Sequence, residues 1–281
     1  MLDFVDKIPL AEWTEKATDW IQGKFAFLFE PIKEHFGEFM DFISEKALTS
    51  IPPVLFILIV AVIAFLVSGK KFGLAVFSIV GLWFVYNQGL WEALMATITL
   101  VILASLLSVI IGVPIGILMA KSKIANSIFQ PILDFMQTMP AFVYLIPAVA
   151  FFGIGMVPGV FASLIFATPP TVRFTNLGIR QVSKDLIEAS DSFGATGPQK
   201  LFKVELPMAK STIMAGINQT VMLALSMVVI ASMIGAPGLG SQVLSALQRA
   251  SVGTGFVAGV GIVILAIIID RITQNMNKGK E

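Results

Sequence analysis

Residues 183–207 read SKDLIEASDSFGATGPQKLFKVELP, a polar segment within a chain that is otherwise dominated by apolar runs. Ser183 is placed to cap a helix over about 184–193, and the following Gly194 permits the backbone to turn. Pro198 suits the first turn of a second short helix, which we expect to end at Leu206-Pro207. The segment therefore predicts two short helices joined at a glycine.

The first of these helices is predicted to have two different faces. Its apolar side chains are Leu186, Ala189 and Phe193, and its acidic side chains recur every third residue as Asp185, Glu188 and Asp191. A helix pair of this kind is too polar for lipid and exposes more apolar surface than a solvated loop needs. We interpret it as a docking surface for a partner protein, with an ordinary loop as the alternative.

The composition on either side of this segment is that of a membrane protein. Of 281 residues, 56% are hydrophobic and 13% are charged, whereas soluble domains carry about 25% charged residues. A spanning helix needs roughly 20 apolar residues. The chain is therefore predicted to be an all-α polytopic membrane protein with about seven transmembrane helices, over 52–68, 72–89, 93–120, 139–156, 157–173, 210–234 and 254–270. Whether 139–173 forms two spans or one re-entrant hairpin is left open.

The distribution of basic residues predicts the orientation. Loops on the cytoplasmic side are enriched in Lys and Arg. Seven crossings with the C-terminus inside place 13 basic residues in inward-facing segments, including Lys121, Arg173 and Arg180, and leave only Arg249 in the short outward loops. We expect the N-terminus outside, the C-terminus in the cytoplasm, and 183–207 on the cytoplasmic side.

The first fifty residues form a separate acidic region with five lysines and ten acidic side chains. Apolar residues recur at helical spacing before and after Pro31, which predicts two amphipathic helices. Such helices suit a membrane surface or a packing contact with the rest of the protein. His35, the only histidine, is expected to be solvated or interfacial.

Several kinds of chemistry are excluded by residues that the chain lacks. With no cysteine and one histidine, it has no thiol nucleophile, no Cys-based metal site and no conventional His-based triad. No Gly-Lys pair follows the glycine spacing of a phosphate-binding loop, so ATP is not expected to bind in that way. The predicted spans also lack mid-bilayer carboxylates, which disfavours proton coupling.

The polar segment also resembles a known motif. Glu188-Ala189-Ser190, then Gly194, then Val204-Glu205-Leu206-Pro207 resemble, in residues and spacing, the EAA motif of ABC importer permeases, apart from Ser190 and Val204, which replace Ala and Ile of the family pattern. The resemblance covers about 90–272 and implies a five-span type I importer core of the methionine-permease-like fold. Together with the amphipathic and apolar patterns outside it, this core divides the chain into four predicted regions: outer amphipathic helices (1–50), two accessory spans (51–89), the permease core (90–272, with the motif loop 183–207) and a cytoplasmic tail (273–281).

Residues 137–147, 152–155 and 168–182 are similar to the glycine betaine/proline branch, in particular to OpuA-type permease subunits of Gram-positive bacteria. This resemblance implies import of glycine betaine or a related quaternary amine across the bacterial cell membrane. It also implies a non-catalytic subunit without a cofactor, working as a homodimer with two cytoplasmic ATPase subunits that bind ATP and Mg²⁺. Eleven residues follow Asp270, so we expect a separate binding protein, either lipid-anchored or periplasmic. Membrane lipid is an expected partner, and nucleic acid is not.

The predicted functional residues fall into two groups. The resemblance implies that contact with the ATPase involves Glu188, Ala189, Ser190, Gly194, Leu206 and Pro207. Candidate residues of the translocation path are Gln137, Thr138, Tyr144, Asn218 and Gln219, because polar and aromatic groups near helix breaks can line a cavity and attract a quaternary ammonium. No catalytic residue and no metal site are predicted.

Two other classes of function remain as alternatives. A sodium-coupled secondary transporter for small zwitterions would take up solute by itself, driven by an ion gradient. A purely structural membrane subunit would have no effect on transport when deleted. The organised polar segment favours the ATP-driven importer over both.

Overall fold

A computed structural model describes residues 9–278. The first eight residues and the last three residues of the predicted tail lie outside the described residues. Within the described part no β-strand is present, which confirms the all-α prediction. The α-helices are α1 (Leu10–Asp41), α2 (Pro53–Val67), α3 (Phe72–Asn87), α4 (Trp91–Lys121), α5 (Lys123–Thr138), α6 (Leu145–Phe152), α7 (Met156–Arg180), α8 (Lys184–Ser192), α9 (Gly197–Lys200), α10 (Leu206–Ser232), α11 (Leu239–Gln248) and α12 (Val252–Lys278).

Helix α7 occupies the centre of the fold, packed between α4 and α10. The packing is close because small residues lie at the contacts. A Cβ atom added to Gly116 of α4 would lie 2.7 Å from the carbonyl oxygen of Val172, and one added to Gly216 of α10 would lie 3.1 Å from that of Pro170. Small residues let helix backbones approach in this way within a membrane, so these three helices form the core that positions the rest.

Gly112 and Gly116, one helical turn apart on α4, both face α7. Gly255 and Gly259 of α12 have the same spacing but different surroundings. A Cβ at Gly255 would meet Ala246 at 3.1 Å, whereas one at Gly259 would have no neighbour within 4 Å. Helix α12 instead packs against α3, α10 and α11.

The spans differ in detail from the prediction. By length and apolar composition three helical stretches qualify among the described residues, namely α4, Gly197–Ser232 and Val252–Met276, or five if each of two bent helix pairs counts as one span. Helices α2 and α3 have 15 and 16 residues, fewer than the roughly 20 needed to cross a bilayer. The predicted run 139–156 is divided between a 3₁₀ turn, α6 and the start of α7.

Helix α5 was not predicted. This helix is amphipathic. Its N-cap is Ser122, whose side chain accepts a hydrogen bond from the backbone N–H of Ala125 (3.2 Å). The axis of α5 is bent by 112° from the stretch Ala141–Phe152. The eight residues of α6 are about 12 Å long at 1.5 Å per residue, too short to cross a bilayer by themselves. Helices α5 and α6 therefore form one bent unit before α7.

The N-terminal region contains two helical stretches, as predicted, but they meet at a different residue. The run α1 is kinked at Phe25, which has non-helical backbone angles (φ −110°, ψ 15°), and it continues without a break through Pro31. Phe29 of α1 stacks on Phe151 at 4.9 Å between ring centroids. The amphipathic region thus packs against the rest of the protein, which is one of the two placements predicted for it. His35 is exposed, as predicted.

Candidate coupling surface and transport path

The helix predicted over 184–193 is confirmed as α8, and it is the most exposed helix of the motif segment. None of its residues is buried. Ser183 occupies the N-cap position, although its side chain makes no capping hydrogen bond. Glu188 and Ala189 are exposed, and Ser190 donates a hydrogen bond to the carbonyl of Ile187 (2.8 Å). The surface predicted to receive a partner is therefore accessible.

Large apolar side chains on this surface are exposed to solvent. Phe193 is 91% exposed, Phe202 66% and Leu186 40%. Such exposure costs free energy in water, about 25 cal/mol for each Å² of apolar surface left uncovered. Asp185 and Glu188 form no salt bridge within residues 9–278. The surface thus combines apolar anchors with free negative charge.

The predicted turn at Gly194 has the conformation that favours glycine. Its φ is +75°, a left-handed conformation that costs other residues about 1–2 kcal/mol. The backbone N–H of Gly194 donates to the carbonyl of Asp191 (2.9 Å), and that of Ala195 donates to Ser190 (3.0 Å). A salt bridge between Lys200 and Asp191 joins the two helices, so the pair is held in one arrangement.

The predicted end of the second helix at Leu206-Pro207 is wrong. Helix α9 passes through a π-helical turn, Leu201–Glu205, directly into α10, and the stretch Gly197–Ser232 is continuous. Pro207 is tolerated because it falls in the first turn of α10, after the wide turn in which the N–H of Leu206 bonds to Leu201. The second helix of the motif segment is thus an extension of a helical stretch that is long and apolar enough to span a membrane.

The candidate path residues of the α5–α6 unit lie at its bend. Gln137 and Thr138 are exposed at the end of α5. Tyr144 is buried, donates a hydrogen bond to the carbonyl of Met136, and meets the ring of Phe166 edge to face. The structure therefore brings Tyr144 close to the end of α5, where it closes the bend instead of facing an open cavity.

The candidate path residues of α10 have different surroundings. Asn218 donates a hydrogen bond to Asp270 of α12 (2.8 Å), and Gln274 donates to both oxygens of the same carboxylate. Gln219 is exposed. Among the described residues no hydrogen bond links Asn218 or Gln219 to the α5–α6 bend, so the two groups of candidates are separate in this conformation.

Thr220, which follows Asn218 and Gln219 in the same polar run and was a candidate for the path with them, is fully buried. Its hydroxyl donates to the carbonyl of Ala167 (2.8 Å) and lies 2.7 Å from the hydroxyl of Thr171. The contact fastens α10 to α7 beside Pro169 and Pro170, which lack backbone N–H groups. Hydroxyls of this kind are a common means of joining membrane helices.

The turn before α11 packs against the start of α4. The backbone N–H of Leu239 donates to the Thr97 hydroxyl (2.8 Å), and Leu239 is fully buried. Gly238 has φ +132°, and a Cβ there would lie 2.6 Å from the Thr97 oxygen. In the described part of the chain no three His, Cys, Asp or Glu side chains are grouped as a metal site requires.

Comparison with known proteins agrees with this architecture. Residues 112–280 match the family described as "Binding-protein-dependent transport system inner membrane component". The chain belongs to this family. It is therefore the membrane-embedded permease component of a binding-protein-dependent transport system, and a substrate-binding protein is a functional partner of such a system.

Two relatives are similar to this permease over nearly their whole length. It is 59% identical over 276 residues to the glycine betaine/carnitine transport permease protein GbuB of Listeria monocytogenes, covering 98% of this chain and 97% of the relative. It is 49% identical over 280 residues to the glycine betaine transport system permease protein OpuAB of Bacillus subtilis, covering 100% and 98%. The resemblance to ABC importer permeases is confirmed.

The fold is also similar to a solved transporter. An inward facing structure of the MetNI methionine ABC transporter matches with a TM-score of 0.61 and 22% identity, covering 67% of this chain and 94% of the matched chain. At this identity the likeness shows the fold alone. It agrees with the type I, methionine-permease-like core expected from the motif.

The structure also reveals polar contacts at the ends of the motif segment that sequence reasoning missed. Glu205 is buried and forms a salt bridge with Lys121, the last residue of α4. Arg180, the last residue of α7, donates to the carbonyl of Met119 (2.9 Å). These partners are far apart in sequence, so no local pattern indicates them.

Proposed function

We propose that this permease carries glycine betaine, or a related quaternary-amine compatible solute, into the cell, driven by two separate ATPase subunits that bind α8 and α9 from the cytoplasm. The observation that carries the proposal is the uncovered docking surface around Phe193 and Glu188. The names of the two close relatives support the class of solute.

The coupling follows from how the docking helices join the membrane helices. When ATP binding closes the ATPase pair, the bound α8 and α9 move as one unit, because the Lys200–Asp191 salt bridge joins them. Helix α9 continues into α10, so this motion reaches the membrane directly. Access then switches between the two sides by a rigid-body transition, and hydrolysis resets it.

The partners and orientation belong to the same proposal. The permease acts as a homodimer with its N-terminus outside and its C-terminus in the cytoplasm, and a binding protein, lipid-anchored or periplasmic, delivers solute from outside. The excess of basic residues in the segments assigned to the inside supports this orientation. Regions 1–50, 51–89, 90–272 and 273–281 are assigned as outer helices, accessory spans, core and tail.

The chemistry of ATP is assigned to the partner subunits. The permease itself is non-catalytic and binds no cofactor, and ATP and Mg²⁺ are held by the ATPases. In support, the sequence contains no Gly-Lys pair with the spacing of a phosphate-binding loop. Glu188 is the proposed acidic contact for a basic ATPase surface, with Ala189, Ser190 and Gly194 shaping that contact and Leu206-Pro207 beginning the membrane helix.

The solute path is proposed to involve both groups of polar candidates. A quaternary ammonium is attracted to aromatic faces, and Tyr144 with Phe166 supplies such faces beside Gln137 and Thr138. The outward-open state must then loosen the bend between α5 and α6, because Tyr144 is buried when the bend is closed. Asn218 and Gln219 are proposed to meet the solute from α10.

Reconstitution tests the proposal. Proteoliposomes containing the permease, its ATPase and its binding protein should accumulate labelled glycine betaine only with ATP, and omission of either partner should abolish uptake. Glu188→Arg should abolish uptake and reduce co-purification of the ATPase. Glu38→Arg, at another exposed carboxylate (82% exposed side chain), should retain both. Uptake by the permease alone in a sodium gradient would refute the proposal.

A further inference from the structure

The last turn of α4 contacts the residue immediately before the docking segment 181–205 and the last residue of that segment. Before it, Arg180 at the end of α7 donates to the carbonyl of Met119. At its end, Glu205 forms a salt bridge with Lys121. Helix α4 is followed by α5 and is not adjacent to the docking helices in sequence. The last turn of α4 nevertheless contacts both ends of the segment that is proposed to bind the ATPase.

Burial makes the second of these contacts specific. The side chain of Glu205 is 6% exposed, whereas that of Lys121 is 41% exposed. A buried carboxylate that loses its cation is left uncompensated in a low dielectric, which is strongly unfavourable. Lys121 also lies at the C-terminus of α4, where the helix dipole favours a positive charge. The pair therefore fixes the π-helical turn, Leu201–Glu205, against the end of α4.

We infer that Lys121 and Glu205 are a positioning pair that makes α4 follow the docking helices during transport. Helix α10 follows them through its continuous backbone, and α7 follows through residues 181–183. Helix α4 follows through this salt bridge, supported by Arg180. The inference rests on the proposed function, because it assigns a part of the coupling between ATPase and permease.

The test uses the complete transporter in proteoliposomes and measures solute imported per ATP hydrolysed. Lys121→Met and Glu205→Gln should lower this ratio about 2- to 30-fold, the range of coupling effects seen for residues between linked sites, while the complex still assembles. The exchanged pair K121E/E205K should raise the ratio above that of either single variant, since opposite charges again meet, but not fully to wild type, because the glutamate then lies at the C-terminus of α4. Lys123→Met is the matched control, because this exposed lysine forms no salt bridge within residues 9–278.

The outcomes separate the inference from the proposed function. If uptake and hydrolysis fall together in the single variants at an unchanged ratio, or if the exchanged pair is no better than either single variant, the inference is wrong and the pair is only structural. A wild-type complex without ATP-dependent uptake would instead refute the proposed function, and the inference with it. A lowered ratio that the exchanged pair partly restores, with Lys123→Met unchanged, supports the inference.

Discussion

Replacement of Gly194 tests the docking surface at the point where its backbone is least able to accept another residue. The φ of Gly194 is +75°, and a Cβ atom added there would have no neighbour within 4 Å. An alanine therefore meets no steric obstacle from other residues. Within the permease, the cost of Gly194→Ala therefore comes from the backbone conformation alone.

The expected size of the effect follows from this geometry. A non-glycine residue in the left-handed region costs about 1–2 kcal/mol, so Gly194→Ala should reduce the population of the native turn about 5- to 30-fold relative to alternatives. Gly194→Val should be worse, since β-branched residues tolerate this region least. Gly23→Ala is the control: Gly23 lies within α1 with negative φ and no neighbour within 4 Å, and alanine there should stabilise by about 0.5–1 kcal/mol.

The assay compares ATPase co-purification, ATP-dependent uptake and ATP hydrolysis in the assembled transporter. We expect Gly194→Ala to weaken ATPase binding and to lower uptake, and Gly194→Val to abolish uptake, while the permease remains in the membrane at normal amounts. Gly23→Ala should behave as wild type in all three. Uptake and hydrolysis that both survive Gly194→Val would refute the assignment of this turn to coupling.

Three further changes test other contacts. Phe193→Ser should leave the melting temperature of the permease unchanged, because the ring is exposed. It should weaken ATPase binding by about 2 kcal/mol or more, as expected for an aromatic anchor that becomes buried in an interface. Unchanged binding in a titration would contradict the role of Phe193 as such an anchor. Thr220→Val removes the hydroxyl bonds to α7 and should destabilise the detergent-solubilised protein by about 0.6–1.7 kcal/mol, and a thermal shift no larger than that of Thr171→Ser would argue against this contact. Gly116→Ala should destabilise by about 1–3 kcal/mol because the added methyl overlaps α7, whereas Gly73→Ala, with open space around it, should not; equal thermal stability of the two would show that the helices separate readily.

Local signals were sufficient to predict the docking helices but not their connection. In the structure α8 lies between Ser183 and Gly194, close to the limits that the sequence indicated. Pro207 was interpreted as the end of the following helix, yet the helix continues, because a π-helical turn places the proline in a first turn. A π-helical turn depends on tertiary packing, and the rule that proline ends a helix does not reveal such a turn in the sequence.

Helix α5 was missed for a different reason. Long apolar runs indicate membrane spans, whereas α5 is amphipathic, with isoleucines at 124, 128 and 132 exposed and Leu133 buried. Its signals in the sequence are the capping Ser122 and the helical period of its isoleucines. The long-range partners Lys121 and Glu205, in contrast, could not be paired from one sequence, since only the tertiary fold brings them together.

The interlocked contact of α7 with its two neighbours restricts how the importer can change shape. Gly112 and Gly116 fit against side chains and backbone of α7 from one side, and Gly216 does so from the other. A shear of one helical residue, roughly 1.5 Å, would push neighbouring side chains into these glycine recesses, and well-packed interfaces resist such gradual deformation. We therefore expect the three helices to turn together, with the bending that exposes the solute alternately at the glycines of positive φ around them, such as Gly153, Gly155 and Gly235.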